Sequence, residues 1–211
     1  VRTAMITLYD DETSAQCYRV RATLGVLGLG FRAVAVQEYE VGPDEERPAV
    51  VLVDEQADPT AVVHDDTAAL LYLARVHDRE HGLLPDEPAR LAAVLDWLVF
   101  ARGLTTSAGA ARRHESFGEP LDLPPAQQEA HRLLRVLDRH LWFGEQRGED
   151  FLAGAFSLAD IACFGDVALC EEGGVSRQDY PAVRRWCDRV KRVPGFPLMS
   201  GIFPAAAGRP A

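Results

Sequence analysis

The spacing of apolar residues changes near the middle of the chain. Before about residue 80, short apolar runs alternate with turn residues, whereas beyond it apolar residues recur every three or four positions. The run Met5 to Tyr9 predicts a strand. Val20, Leu24 and Leu27 share one face and predict a helix over Tyr18 to Leu27, ended by Gly28-Leu29-Gly30. Phe31 to Val36 alternates and is rich in β-branched residues, which predicts a second strand parallel to the first. Gln37 to Arg47 is acidic, contains Gly42-Pro43 and reads as a loop. Pro48 to Val53 and Ala61 to His64, on either side of a turn near Asp54 to Pro59, predict an antiparallel hairpin. Asp65-Asp66-Thr67 caps a helix over Ala68 to Val76, with Leu70, Leu71 and Leu73 on its apolar face. This order gives an α/β sheet of thioredoxin-like type.

Gly82 to Pro88 is punctuation and reads as a linker. Four helices follow. They cover Ala89 to about Arg113 (weakened by Gly103 and Gly109), Pro125 or Ala126 to about Gln146, Ser157 to Leu169, and Tyr180 to Val193. Pro194-Gly195-Phe196-Pro197 ends the last one. The expected division is a thioredoxin-like domain over 1–79, a linker over 80–87 and an all-α domain over 88–211. Phe156-Ser157-Leu158-Ala159-Asp160-Ile161 has the pattern of a capping box with a hydrophobic staple.

A formal net charge of −10 disfavours a nucleic-acid partner. The pairs Arg19/Arg21, Arg112/Arg113 and Arg184/Arg185 are interspersed with acids and read as solvated helix faces and ion pairs. No apolar run approaches the roughly 18 residues of a membrane span, and no secretory signal is visible, so no membrane partner is expected. Cysteines 17, 163, 170 and 187 lack CxxC spacing, and Cys163 and Cys170 read as small buried hydrophobes, usage that fits a reducing cytoplasm. His77 and His81 share helical i,i+4 spacing but flank a helix end, and no metal site is expected. The Arg- and Ala-rich composition suggests a high-GC bacterium.

The stretch Thr13 to Arg21 puts a hydroxyl, Ser14, and a thiol, Cys17, where a strand hands over to a helix N-terminus. Unpaired N–H groups and the helix dipole there favour negative charge, including a thiolate. Ser14 reads equally as a helix N-cap.

Several stretches, in order, resemble the cytosolic glutathione transferases. Ser14-Ala15-Gln16-Cys17-Tyr18-Arg19-Val20-Arg21 is similar to the serine motif of zeta-like and related bacterial members. Arg47-Pro48-Ala49-Val50 stands where the family has a cis-proline motif, and Asp66-Thr67-Ala68-Ala69-Leu70-Leu71-Tyr72-Leu73-Ala74 resembles its Glu-Ser-x-Ala-Ile-x-x-Tyr-Leu. Phe151 to Ile161 matches its helical-domain capping motif. Tyr180 to Trp186 and Pro194-Gly195-Phe196 match its last helices.

The resemblance implies the glutathione transferase fold, glutathione as co-substrate, a homodimer, and a transferase or isomerase acting on a small electrophile. It casts Ser14 as the hydroxyl that stabilises the thiolate, with Cys17 as rival nucleophile. Arg47, before a cis Pro48, would pair through its backbone with the cysteinyl part, and Asp66 and Thr67 would hold the γ-glutamyl end. Tyr9 is the activating group's type in other classes, and packing is its alternative. The electrophile site is expected among Trp97, Phe100, Arg102, Thr105, Thr106 and Arg113, closed by a tail from Leu198 to Phe203. An arginine there would suit a carboxylated or electron-withdrawn substrate. These residues read otherwise as domain-interface packing.

The chain departs from the family between Val36 and Pro48. That segment is about half the usual length and carries five carboxylates, which would repel an anionic tripeptide. Arg47 or Arg32 would then answer the glycyl carboxylate, or another low-molecular-weight thiol is used. Two further readings stand beside the transferase: a non-catalytic binding module that keeps the fold, and a Cys17-dependent disulfide-handling or glutathione-cleaving enzyme.

Overall fold

The computed structural model describes residues 6–80 and 82–202. Met5, His81 and Phe203, which carried expectations above, lie outside the described residues.

Four strands form one sheet in the order β2-β1-β3-β4: β1 (Ile6–Asp10), β2 (Phe31–Ala35), β3 (Val51–Asp54) and β4 (Ala61–Val63). β1 and β2 are parallel, with Ile6 opposite Phe31, and β3 is antiparallel to both neighbours. The parallel pair and the hairpin are as the sequence pattern predicts. β3 starts at Val51 rather than Pro48, because Arg47 to Val50 belong to the approach loop.

Helix α1 (Ala15–Val26) starts three residues earlier than apolar spacing suggested, since Ser14 caps it and polar Gln16 is already helical. Helix α2 (Asp66–His77) is capped by Asp65, whose carboxylate accepts from the Ala68 N–H at 2.9 Å. Its C-terminal His77 meets Asp54 of β3 at 2.8 Å, beside the Tyr72 hydroxyl, so His77 is spent on an acid of the sheet.

The second half is helical: α3 (Pro88–Leu104), α4 (Ala110–Phe117), α5 (Leu123–Gln146), α6 (Leu158–Ala168) and α7 (Pro181–Val190). Every residue of α6 is buried, and it packs on both α1 and α3. The predicted capping box is present. The Ser157 hydroxyl accepts from Ala159 N–H at 3.3 Å, and Asp160 accepts from Ser157 N–H at 3.0 Å. Asp160 also takes the Trp186 indole N–H at 2.8 Å and the Leu152 N–H at 3.1 Å, which ties α6 to α7. Burial pushes the Asp160 carboxyl up to about 6, against those bonds.

The long helix expected over Ala89 to Arg113 is interrupted. Residues Thr105 to Gly109 form a π-helical segment between α3 and α4. Ser107 back-bonds to Gly103 O at 2.6 Å, and Gly109 lies so close to Asp166 that a Cβ there would come within 2.5 Å of its carboxylate. By length and composition the run Pro88–Phe117 would suffice to cross a bilayer; here it packs against α5 and α6.

Candidate functional site

The site grows from the turn after β1. Asp11 organises it: its carboxylate takes the Thr13 N–H at 2.8 Å and its carbonyl takes the Ser14 N–H at 3.0 Å. Ser14 is then extended, and its hydroxyl oxygen accepts from the Cys17 N–H at 3.3 Å, closing the first turn of α1. An oxygen that accepts this bond keeps its own proton to donate elsewhere. Ser14 is half-buried and lines a cleft of about 550 Å³ between the sheet domain and the helical domain.

Asp11, Thr13, Gln16 and Ala49 contribute to the cleft from the sheet side, and Thr105, Gly109, Arg112, Arg113, Phe117 and Asp166 from the helical side. A second, smaller cavity of about 190 Å³ lies at the N-terminus of α2, walled by Arg19, Asp65, Asp66, Thr67, Arg102 and Thr106. Gln16 and Thr105 belong to both walls, so the two cavities adjoin.

Between them runs a buried ionic cluster. Arg19 reaches Asp66 at 2.6 Å, Asp166 at 2.6 Å and the Thr105 hydroxyl at 2.7 Å. Arg19 and both acids are at least 95% buried in their side chains. A guanidinium bearing so much desolvation keeps its charge because two carboxylates face it, and they hold its pKa above the ordinary value. Arg19 therefore links α1, α2, the π segment and α6 through one side chain. Its Nε has no hydrogen-bond partner although it is buried.

Several expected residues stand elsewhere or do other work. Cys17 points into the core with no exposure. Its sulfur accepts from Asp11 N–H at 3.3 Å and donates to Ala49 O at 3.2 Å. Burial pushes this thiol up to about 11, so it is protonated at neutral pH and is not an exposed nucleophile. The expected cis bond before Pro48 is absent; among the described residues the cis X–Pro bond is Asp58–Pro59, in the β3–β4 turn. Arg47 is committed to its own loop, where its guanidinium bonds the carbonyls of Val36 and Tyr39. Shortening the loop leaves it to be closed by this arginine, which corrects the idea that Arg47 waits for a carboxylate. Arg32 bonds Thr7 at 3.3 Å on the sheet.

Tyr9 stacks edge-on against Tyr39 at 4.9 Å and does not line the cleft. Phe100 packs on Trp97 at 4.9 Å, and Trp97 on His140 of α5, so both face the helical bundle. Gly201 packs over Leu169 and Glu172 beyond the end of α6, and none of residues 198–202 lines the cleft. Thr105 and Arg113 do line it. Arg113 is paired with Glu119 at 2.8 Å.

Two arginines read as solvated are buried. Arg19 sits on the buried face of α1 between Tyr18 and Val20. Arg112 is 8% exposed and bonds both Thr13 O and Glu172. A signal was available for the first: Asp166 is one of two acids in α6, and unlike Asp160 it has no role in the capping box. A charge inside an all-buried helix needs a partner.

A family model described as "Glutathione S-transferase, C-terminal domain" matches residues 107–189. The chain is 29% identical over 199 residues to a disulfide-bond oxidoreductase, YfcG, of Escherichia coli, covering 90% of this chain and 85% of that protein. It is 26% identical to glutathione S-transferase D6 of Drosophila melanogaster, covering 90% and 89%. Among solved structures, a glutathione transferase from Pseudomonas putida with glutathione disulfide bound superposes with a TM-score of 0.77 at 24% identity, covering 92% of this chain and 90% of that one. The match in the helical half, the relatives aligned over most of the chain and the shared two-domain fold agree: the chain has the glutathione transferase fold, and its helical half is similar to the C-terminal domain of that family.

Proposed function

We propose that the protein conjugates or isomerises a small electrophile with a low-molecular-weight thiol, glutathione in the first instance, and that Ser14 stabilises the thiolate. The observation that carries this is the adjoining pair of cavities, one at each of two helix N-termini. The smaller suits an amino-acid end. The Thr67 hydroxyl and the free N–H groups of α2 would take its carboxylate, and Asp65 and Asp66 its ammonium. The larger cavity is lined by Ser14 and the start of α1, so a sulfur held there would meet the Ser14 hydroxyl and the positive end of that helix.

A thiol ionises near 8.5 in water, so at neutral pH it is mostly protonated. A hydroxyl donor and the helix terminus both favour the charged form and lower that value. The thiolate then attacks the electrophilic carbon; the new C–S bond forms as the leaving group departs with its electron pair or, in an addition, as the substrate's carbon takes a proton. Arg113 in the same wall would suit a substrate with a carboxylate or an electron-withdrawing group once that group replaces Glu119 as its partner. Leu95 and Val99 on α3 and Val136 and Phe143 on α5 are exposed apolar residues at helical spacing, which supports a homodimer.

Calorimetric titration with glutathione tests the reading. Binding in the micromolar to low millimolar range is expected. No heat at several millimolar glutathione would sink the glutathione-dependent form and leave the non-catalytic module.

A further inference from the structure

Resting on that reading, we infer that Arg112 is a positioning residue: reaching across from the helical domain, it holds the Thr13 carbonyl and thereby fixes where the Ser14 hydroxyl points. The Thr13 carbonyl belongs to the peptide unit that supplies the Ser14 N–H. Arg112 donates to that oxygen at 2.8 Å. Its other edge is gripped, because Nε donates to Glu172 at 2.7 Å. Its flat face lies 5.4 Å from the centre of the Phe117 ring. A guanidinium held at three sides has little freedom left, and 92% of the residue is out of solvent. Burying an arginine is costly unless its geometry is satisfied in this way.

The π segment explains how it gets there. Bonding from i to i+5 over Thr105 to Gly109 adds a residue to the turn, so α4 is rotated by about 100° from the course an unbroken helix would take. That rotation puts Arg112 on the buried side and Arg113 on the partly exposed side. Gly173 makes room for the approach: a Cβ there would stand 2.6 Å from the Arg112 backbone nitrogen. On the other side, Thr13 is exposed and its turn is otherwise tied to Asp11. The Arg112 bond is thus a clamp between a rigid helix junction and a surface turn.

A bystander role through charge alone makes a different prediction from a clamp. If Arg112 acted only as a nearby positive charge, removing the opposing carboxylate with Glu172→Gln would lower the pKa of the bound thiol and raise the rate at neutral pH. If it acts by holding Thr13, loosening its grip does the reverse.

The test uses the full chain with glutathione and an activated aryl chloride, following kcat and KM against pH. Arg112→Met should lower kcat about tenfold, and move the acidic limb of the kcat profile up by about one pH unit, with KM for glutathione within about twofold. Glu172→Gln should shift the limb the same way by a smaller amount. An unmoved limb in Arg112→Met, or a limb moved down in Glu172→Gln, would overturn the clamp. Ser14→Ala separates the two levels. If it raises the limb and Arg112→Met does not, this inference fails alone; if Ser14→Ala leaves the limb in place, the role of Ser14 fails with it. Should Arg112→Met not fold, Glu172→Gln decides.

Discussion

Ser14 and Ser157 start their helices with the same bond. Each hydroxyl accepts a first-turn backbone N–H at 3.3 Å, from Cys17 and from Ala159. What surrounds the two hydroxyls differs. Ser157 is 3% exposed, its N–H is taken by Asp160, and α6 behind it is buried from end to end. At α1 the residue three positions on is Cys17, not an acid, and its side chain turns inward to Ala49. The Ser14 N–H is served by the Asp11 carbonyl, and its hydroxyl borders a 550 Å³ cleft. One local motif thus does structural work where its surroundings are closed and is available for chemistry where they are open.

Substitution separates the two most sharply. Ser14→Ala should lower kcat/KM with glutathione about 100-fold, the scale of losing one donor to a reacting anion, while costing about 1 kcal/mol or less in urea unfolding. A loss below about threefold would make Ser14 a cap like Ser157. The second contrast is in pH. Asp160 binds its proton more tightly folded, at about 6, than unfolded, near 3.9. The stability it contributes is therefore fully present below about pH 4 and is lost as the pH rises to about 6. Subtracting the Asp160→Asn profile from the wild type should show a fall on the order of 2 kcal/mol across that window. A flat difference would mean that the three N–H donors around Asp160 outweigh its burial. The Ser14 cap has no such acid and should add no slope.

Ser157→Ala should cost about 1.5 kcal/mol in unfolding and leave kcat unchanged per folded molecule, which parallel denaturation and kinetics would check. The smallest effect is expected at Cys17. Cys17→Ala should keep kcat within about threefold, and the native thiol should resist iodoacetamide at neutral pH until the protein is unfolded. Rapid alkylation of Cys17 in the folded protein would revive the reading of Cys17 as a disulfide-handling thiol.

The same contrast marks what could be read from the sequence. The capping box at Ser157 is entirely local, and it was legible because Ser157, Asp160 and the flanking apolar residues are all within one turn. Strands and helices followed from periodicity for the same reason. Ser14 was legible as a residue but not as a site, because its cleft is finished by α4 and α6, roughly a hundred residues and more away. Arg19 and Arg112 were misread as surface charges for the same cause: their partners Asp66, Asp166 and Glu172 are distant in sequence. Gly103 and Gly109 flagged a weak helix, but spacing alone could not distinguish fraying from the π segment that turns Arg112 inward. Where family likeness stood in for geometry, at Arg47-Pro48, the shortened loop had changed the geometry: the arginine closes the loop and the proline is not cis.

The central claim is that the Ser14 hydroxyl lowers the pKa of a thiol bound beside it. Ultraviolet titration of the glutathione complex reads the bound thiolate directly. The wild type should show the thiolate forming with a midpoint about two units below the free value near 8.5, and Ser14→Ala should return the midpoint to within about half a unit of it. A wild-type midpoint at the free value, or one that Ser14→Ala leaves unchanged, would contradict the account.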